Sequence, residues 1–100
     1  MKLSLQEVQA KIDAKAYPPT HEYDLASLAP RGVLAERIER ILKVVPSFFK
    51  GEHMLDVGCS KGFFSWQAFK HGMQTIGIDT DAEAVAICKA AEEILDPNND

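Results

Sequence analysis

The chain is 100 residues long, about the size of one modest domain, and its 46% hydrophobic and 26% charged residues are typical of an ordinary globular protein. The net charge of −4 does not favour a nucleic-acid partner, because phosphate binding requires clustered Lys and Arg, although a local basic patch stays compatible with it. No apolar run approaches the roughly 20 residues of a membrane-spanning helix, and the N-terminal segment is too polar for a signal peptide, so we expect no membrane partner and a cytoplasmic location.

The chain has two cysteines, Cys59 and Cys88, and neither belongs to a C-x-x-C or mixed Cys/His cluster. The three histidines also lack the spacing of metal ligands; they are His21, His53 and His71. The sequence therefore predicts no metal site, and a structural disulfide would be unusual in a reducing cytosol.

Residues 1–46 are predicted to form a helical lead-in. Ser4 and Glu7 fit a capping box, and the apolar spacing that follows them predicts a helix over residues 5–16. Two consecutive prolines end this helix, and residues 17–32 are predicted to be an irregular connection. A stronger amphipathic helix follows, and Pro46 stops it. Its apolar stripe consists of Leu34, Ile38, Ile41 and Val45.

From His53 onward the pattern predicts strand, helix, strand and helix. The apolar run over residues 54–57, interrupted only at Asp56, is typical of a strand covered on both faces in a parallel sheet. The elements that follow are a glycine loop at 58–62, a helix over 63–70 ended by Gly72, a strand over 75–78 followed by Asp79, and a helix over 82–95 capped by Asp81.

This order predicts an α/β fold with a Rossmann-like, doubly wound and mostly parallel sheet behind the helical lead-in. A strand–helix–strand crossover makes its two strands parallel. Two parallel strands cannot bury their own faces, and sheets usually carry about four to six strands. We therefore expect residues 47–100 to be the first half of a larger sheet domain, of which the chain is only part.

The glycine loop allows two interpretations. Its sequence, GCSKG, matches the G-x-S-x-G elbow of serine hydrolases, which would make Ser60 a nucleophile. That mechanism needs an acid and then a histidine further along the chain, and the histidine after Ser60 is His71, at the end of the next predicted helix. Short patterns of small residues also match by chance, so the hydrolase is the less favoured alternative.

The second interpretation is a cradle for a nucleotide-like ligand. Gly58 lets a ligand approach the backbone, and Gly62 lets the loop turn into the helix. The amides of the loop and of the first helical turn are expected to point into the crevice above the strand ends. Asp79 is placed to accept hydrogen bonds from both hydroxyls of a ribose. Asp56 precedes the first glycine by two residues, where a carboxylate repels a pyrophosphate and suits a ligand that carries an ammonium group.

These residues resemble a known family. The segments MLDVGCSKGFFS and TIGIDTDAEAV, in this order and at this spacing, are similar to motif I and the second-strand acidic motif of class I S-adenosylmethionine-dependent methyltransferases. The resemblance covers residues 52 to about 95 and implies S-adenosylmethionine as the cofactor and methyl transfer as the reaction. Ser60 departs from the glycine that the family carries in the middle of motif I.

The resemblance also implies a cofactor-binding set. In it, Asp56 lies near the amino group of the methionine moiety, Asp79 binds the ribose hydroxyls and Thr80 lies beside the adenine. The loop backbone lines the methionine and ribose, and the last glycine permits the turn into the helix. The full set is Asp56, Gly58, Cys59, Ser60, Gly62, Asp79 and Thr80.

The resemblance assigns no catalytic residue, because residues near the acceptor in this family come mostly from later strand ends. The methyl acceptor is unidentified, and a small molecule is favoured. A non-catalytic binding domain that retains a methyltransferase-like sheet is a further alternative.

Several conspicuous residues have simpler explanations. Cys59 is expected to be a small packing residue rather than a reactive thiolate. Tyr17, Tyr23 and Arg31 lie in the lead-in connection, and a role for them in closing over the cofactor site is the less favoured interpretation. Aromatic residues of the third predicted helix are expected to pack in and near the core; they are Phe63, Phe64, Trp66 and Phe69.

Overall fold

The computed structural model describes residues 2–15 and 22–97. In chain order their elements are α1 (Leu5–Ala14), β1 (Tyr23–Asp24), β2 (Ala29–Pro30), α2 (Val33–Val44), β3 (His53–Val57), α3 (Phe63–Lys70), β4 (Gln74–Ile78) and α4 (Ala82–Leu95). The chain is therefore a small α/β fold with four described helices and a short parallel sheet, as the sequence predicts at this coarse level. None of the helices in the described part of the chain is both long enough and apolar enough to cross a membrane.

The start of α1 is fixed by the predicted capping box. Ser4 Oγ accepts a hydrogen bond from the Glu7 amide at 3.1 Å, and the Glu7 carboxylate accepts one from the Ser4 amide at 2.9 Å. The bond from the Ser4 amide is the main reason why the pKa of Glu7 lies below its ordinary value. The helix ends at Ala14, whereas the predicted helix continued to residue 16, which lies outside the described residues.

The connection predicted to be irregular contains a short antiparallel hairpin, so this prediction was wrong. In the hairpin β1 pairs with β2, with Tyr23 opposite Pro30. Leu28 has a φ of +59°, a left-handed conformation that is uncommon for a bulky residue. Two-residue strands carry no readable alternation of apolar and polar residues, so the pattern did not reveal them. Residues 17–21 of the connection lie outside the described residues.

The strand–helix–strand–helix order of the second half is confirmed. The strands β3 and β4 pair in parallel, and α3 crosses between them. Gly72, after α3, has a φ of +86°, the left-handed conformation expected of a residue that ends a helix. Asp81 caps α4 as predicted, because its carboxylate accepts hydrogen bonds from the amides of Glu83 and Ala84 at 3.0 and 3.3 Å.

The two faces of the parallel sheet have different surroundings. The helices α3 and α4 lie against the face that carries Asp56 and Gly77. The opposite face is apolar and largely open; its Leu55, Val57, Ile76 and Ile78 are 61, 72, 66 and 47% exposed. The prediction that β3 is covered on both faces was therefore wrong for the described residues, which show one layer of helices and no double winding.

The main core lies among the helices and the hairpin rather than on the sheet. Val8 and Ile12 of α1 pack with Phe63 of α3 and Ile87 of α4, and none of these side chains is more than 3% exposed. This core joins the lead-in to the second half of the chain, and burial of each such side chain contributes about 1.5–3 kcal/mol. A smaller cluster consists of Phe49, Ala68 and Met73.

The unequal burial of two isoleucines gives a matched test of this fold. Ile12 in α1 has no exposed surface, whereas Ile76 in β4 is 66% exposed. We expect Ile12→Val to lower the free energy of unfolding by about 0.5–1.5 kcal/mol, because a buried methylene is lost, and Ile76→Val to change it by less than about 0.5 kcal/mol. Urea unfolding followed by circular dichroism measures both values. Equal losses would contradict the open sheet face.

Candidate functional site

The candidate site lies at the carboxyl ends of β3 and β4, where two loops meet. Because the strands are parallel, the loops that follow them, at 58–62 and 79–81, emerge at the same edge of the sheet. The amides of Gly58 and Cys59 donate hydrogen bonds to the Ile78 carbonyl at 2.7 and 2.9 Å. These bonds fix the first loop to the end of β4.

The Asp79 side chain joins the two loops. Its Oδ2 atom accepts a hydrogen bond from the Ser60 amide, and its Oδ1 atom accepts one from the Asp81 amide, both at 2.8 Å. The Asp81 and Ser60 amides lower the pKa of Asp79, so this carboxyl is ionised at neutral pH. A carboxylate offers about four lone-pair sites, and these two amides leave it acceptor capacity for the hydroxyls of a ligand.

The direction of the loop amides differs from the prediction. The amides of Gly58, Cys59 and Ser60 donate to Ile78 and Asp79, and the Gly62 amide donates to the Cys59 carbonyl at 2.9 Å. The expectation that they point into the crevice was wrong, because these N–H groups close the loop and tie it to β4. A ligand at the strand ends would meet the Asp79 carboxylate and the exposed backbone of Gly58 instead.

The loop has a left-handed backbone at three positions. Gly58, Ser60 and Gly62 have φ values of +73°, +54° and +92°. Ser60 occupies the position at which the resembled family has glycine, and its positive φ explains that preference, since a left-handed residue with a Cβ costs roughly 1–2 kcal/mol. The hydrogen bond from its amide to Asp79 helps to hold this conformation.

The two glycines of the loop have different surroundings. A Cβ placed on Gly62 would lie 3.0 Å from Cys88 Sγ and 3.1 Å from Trp66 Nε1, so glycine lets α3 and α4 approach each other here. A Cβ placed on Gly58 would meet nothing within 4 Å. Gly62 therefore serves helix packing, and Gly58 faces open space where a ligand can approach.

The structure brings part of the predicted set together and separates the rest. Gly58, Asp79 and the exposed Thr80 lie at the strand ends. Asp56 instead lies on the helix side of the sheet, where its Oδ2 atom accepts a hydrogen bond from Ser65 Oγ at 2.7 Å. Cys59 also faces inward and is 5% exposed.

Two thiols lie beneath the loop. Both Cys59 and Cys88 are free, and Cys88 Sγ donates a hydrogen bond to the Ser60 carbonyl at 3.2 Å. Burial raises the pKa of Cys88 to about 12 and also raises the pKa of Cys59. Both groups stay protonated at neutral pH, which agrees with the packing role expected for Cys59.

The sequence did not reveal how the lead-in contacts the loop. Lys61 has no exposed surface, and its Nζ atom donates a hydrogen bond to the Ile12 carbonyl at 3.0 Å. Tyr23, considered from the sequence for a role in closing over the cofactor site, is fully buried. Its hydroxyl donates a hydrogen bond to the Lys61 carbonyl at 2.6 Å. Arg31 pairs with Asp13. Tyr17 lies outside the described residues.

The geometry gives no support to the serine-hydrolase interpretation. Ser60 is 7% exposed, whereas a nucleophile elbow presents its serine at the surface. His71 follows the last residue of α3, and a helix of eight residues spans about 12 Å. The His71 ring stacks on Phe49 with centroids 5.2 Å apart, and its Nδ1 atom is 2.8 Å from the Gln67 carbonyl oxygen. His71 is therefore not placed to activate Ser60.

The described residues contain no group of three or more His, Cys, Asp or Glu side chains that could hold a metal ion. A cavity of about 330 Å³ lies between β4, α3 and α4, beneath the loop rather than at the strand ends.

The chain matches no protein-family model, no curated protein and no solved structure.

The two glycines give a matched test of the loop. We expect Gly58→Ala to lower the free energy of unfolding by about 1–2 kcal/mol, because alanine is strained at a left-handed position. Gly62→Ala has the same backbone cost and also crowds Cys88 and Trp66, which adds about 1–3 kcal/mol. Urea unfolding of the two variants measures the difference. Equal losses would contradict the close packing at Gly62.

The Cys88 thiol predicts a loss of stability at alkaline pH. Its pKa rises from an ordinary value of 9.0 to about 12 on folding, so the unfolded chain releases this proton first. The free energy of unfolding therefore falls as the pH rises from about 9 toward 12. We expect Cys88→Ala to lose less stability than the unchanged protein between about pH 8 and pH 10, as urea unfolding at each pH measures. Parallel curves would contradict the burial of this thiol.

Proposed function

We propose that the chain is the S-adenosylmethionine-binding half of a class I methyltransferase with a Rossmann-like sheet, and that its methyl acceptor is a small molecule. The observation that carries this proposal is the Asp79 carboxylate, held at the ends of two parallel strands by the amides of Ser60 and Asp81. An ionised carboxylate at this place, with acceptor capacity left, is suited to the two hydroxyls of a ribose.

The surroundings of Asp79 favour an adenosyl ligand over a phosphate ligand. Gly58 offers open backbone at the strand ends, and the exposed Thr80 directly follows Asp79, so an adenine ring next to the ribose would find both accessible. Asp79 places a negative charge at this edge of the sheet, and the amides of Gly58, Cys59 and Ser60 already donate hydrogen bonds within the protein. Negative charge attracts a sulfonium and an ammonium group and repels a pyrophosphate.

Such a site would act mainly by holding the methyl donor and the acceptor in position. When bound, S-adenosylmethionine supplies an electrophilic methyl group on a sulfonium. The residues described here would orient it, since Asp79 fixes the ribose and the 58–62 loop fixes the position of Asp79. Holding donor and acceptor in line supplies much of the acceleration, and a general base is needed only when the acceptor must first lose a proton.

The sheet itself supports the proposed architecture. In doubly wound folds helices cover both faces of a parallel sheet. Here α3 and α4 cover one face, and the other presents four exposed apolar side chains, the surface that a second helical layer would bury. Residues 47–100 are therefore proposed as the first half of the cofactor-binding domain, with residues 1–46 as its lead-in.

The proposal is tested by calorimetric titration of the protein with S-adenosylmethionine. Asp79→Ala is expected to weaken binding by about tenfold or more, because hydrogen bonds to a charged acceptor are lost. Asp81→Ala is the matched control, since it removes the α4 cap and the ion pair with Lys15 but leaves the Asp79 carboxylate in place. It is expected to reduce stability and to change the affinity by no more than a few-fold. No binding by the folded protein, or equal weakening in both variants, would refute the proposal.

A second measurement separates an enzyme from a binding domain. Transfer of a radiolabelled methyl group is followed across a panel of small molecules with nucleophilic N, O, S or C atoms. Turnover that is lost in Asp79→Ala supports the methyltransferase. Binding without turnover on any acceptor would favour the non-catalytic alternative.

A further inference from the structure

A buried lysine connects the glycine loop to the lead-in. Lys61 is the fourth residue of the 58–62 loop, yet its side chain has no exposed surface, which is rare for lysine without a partner. Its Nζ atom donates a hydrogen bond to the carbonyl of Ile12, in the last turn of α1. The last four carbonyls of a helix lack donors within the helix, and the helix dipole makes that end negative, so an ammonium group stabilises it.

The backbone of Lys61 is held by the same part of the chain. The Tyr23 hydroxyl donates a hydrogen bond to the Lys61 carbonyl at 2.6 Å, and the Tyr23 ring packs on Phe63 with centroids 5.7 Å apart. Gln9 of α1 fixes the hairpin, because its Nε2 atom donates to the Tyr23 carbonyl at 3.0 Å and its Oε1 atom accepts from the Leu25 amide at 2.7 Å. The helix α1 and the hairpin thus hold residue 61 through both its side chain and its backbone.

The contacts of Lys61 act at the strained part of the loop. Its neighbours Ser60 and Gly62 both have left-handed backbone conformations. Such conformations persist when surrounding contacts hold them in place. The amide of Ser60 donates a hydrogen bond to Asp79. A shift of the adjacent Lys61 would therefore also shift the donor that holds the carboxylate of the candidate site.

The end of α1 also contacts the second loop of the site. Lys15 Nζ lies 2.8 Å from the Asp81 carboxylate and 3.1 Å from the Glu83 carboxylate, and the Lys15 side chain is 12% exposed. The Asp81 amide in turn donates to Asp79. The carboxyl end of α1 therefore reaches both loops of the site, through Lys61 on one side and Lys15 on the other.

We propose that Lys61 is a positioning residue that couples the docking of α1 to the conformation of the 58–62 loop, so that ligand binding at the strand ends and docking of the lead-in strengthen each other. Such coupling is reciprocal, so anything that loosens α1 weakens the site. The identity of the ligand rests on the proposed function, whereas the coupling within the chain does not.

The coupling is tested first without ligand, by a double-mutant cycle. Ser4→Ala loosens α1 at the end far from the loop, and Lys61→Met removes the ammonium group while keeping a long apolar side chain. Hydrogen exchange at the amides of Gly58, Cys59 and Ser60 is measured by NMR. In the otherwise unchanged protein, Ser4→Ala is expected to speed this exchange by up to about fivefold. In the Lys61→Met background, where the Tyr23 bond to the backbone of residue 61 remains, the effect is expected to be clearly smaller.

Two controls separate coupling from general unfolding. The amide of Met73, which donates to the Ala68 carbonyl, serves as the reference for opening elsewhere in the chain. Gln6→Ala alters an exposed position of α1 outside the capping box and is expected to leave loop exchange unchanged. The proposal would be overturned if Ser4→Ala speeds amide exchange in the loop no more than at Met73. It would also be overturned if the exchange in the loop speeds up equally with and without Lys61→Met.

A second arm uses S-adenosylmethionine as the probe. Ser4→Ala is expected to weaken its binding by a few-fold in the otherwise unchanged protein and by clearly less in the Lys61→Met background, with folding checked by circular dichroism. Tyr23→Phe, which removes only the hydroxyl, is expected to weaken binding as well. If the exchange cycle shows coupling and the unchanged protein binds no cofactor, the proposed function fails and the coupling stands. Binding that Ser4→Ala weakens equally in both backgrounds would overturn the coupling alone.

Discussion

Two backbone amides, those of Ser60 and Asp81, converge on the carboxylate of Asp79, and the shape of the strand ends follows from this convergence. One amide belongs to Ser60, in the loop after β3, and the other to Asp81, the N-cap residue of α4. A single ionised side chain therefore sets the distance between the two loops. The same negative charge defines what the site can attract. The positions of both loops and the charge at the strand ends therefore depend on one group.

The predictions succeeded where the controlling interactions are local. The capping box at Ser4, the cap at Asp81 and the left-handed Gly72 each act within one helical turn, and all three are confirmed. They failed where contacts are long-range: Lys61 and its partner Ile12 are 49 residues apart, and no local pattern marks a lysine for burial. The loop amides were misjudged for the same reason, because their acceptors, Ile78 and Asp79, lie on the next strand and loop.

The distribution of apolar burial makes the lead-in part of the scaffold. The sheet is covered on one face, whereas the largest set of buried side chains lies between α1, the hairpin, α3 and α4. Most of the hydrophobic stabilisation of the described residues thus comes from helix packing that includes α1. The lead-in precedes the sheet in the sequence, yet its side chains form part of the core beneath the candidate site. Its docking and the conformation of the loop are physically connected for this reason.

The position of the one tryptophan in the chain has a practical consequence. Trp66 is 8% exposed, and its indole nitrogen and the Cys88 sulfur both lie next to Gly62. Indole emission depends on the polarity around the ring, and a thiol close by quenches it. The tryptophan emission of the unlabelled protein therefore comes from a single ring, packed against the glycine loop. It provides an optical signal for the state of that loop, free of background from any other tryptophan.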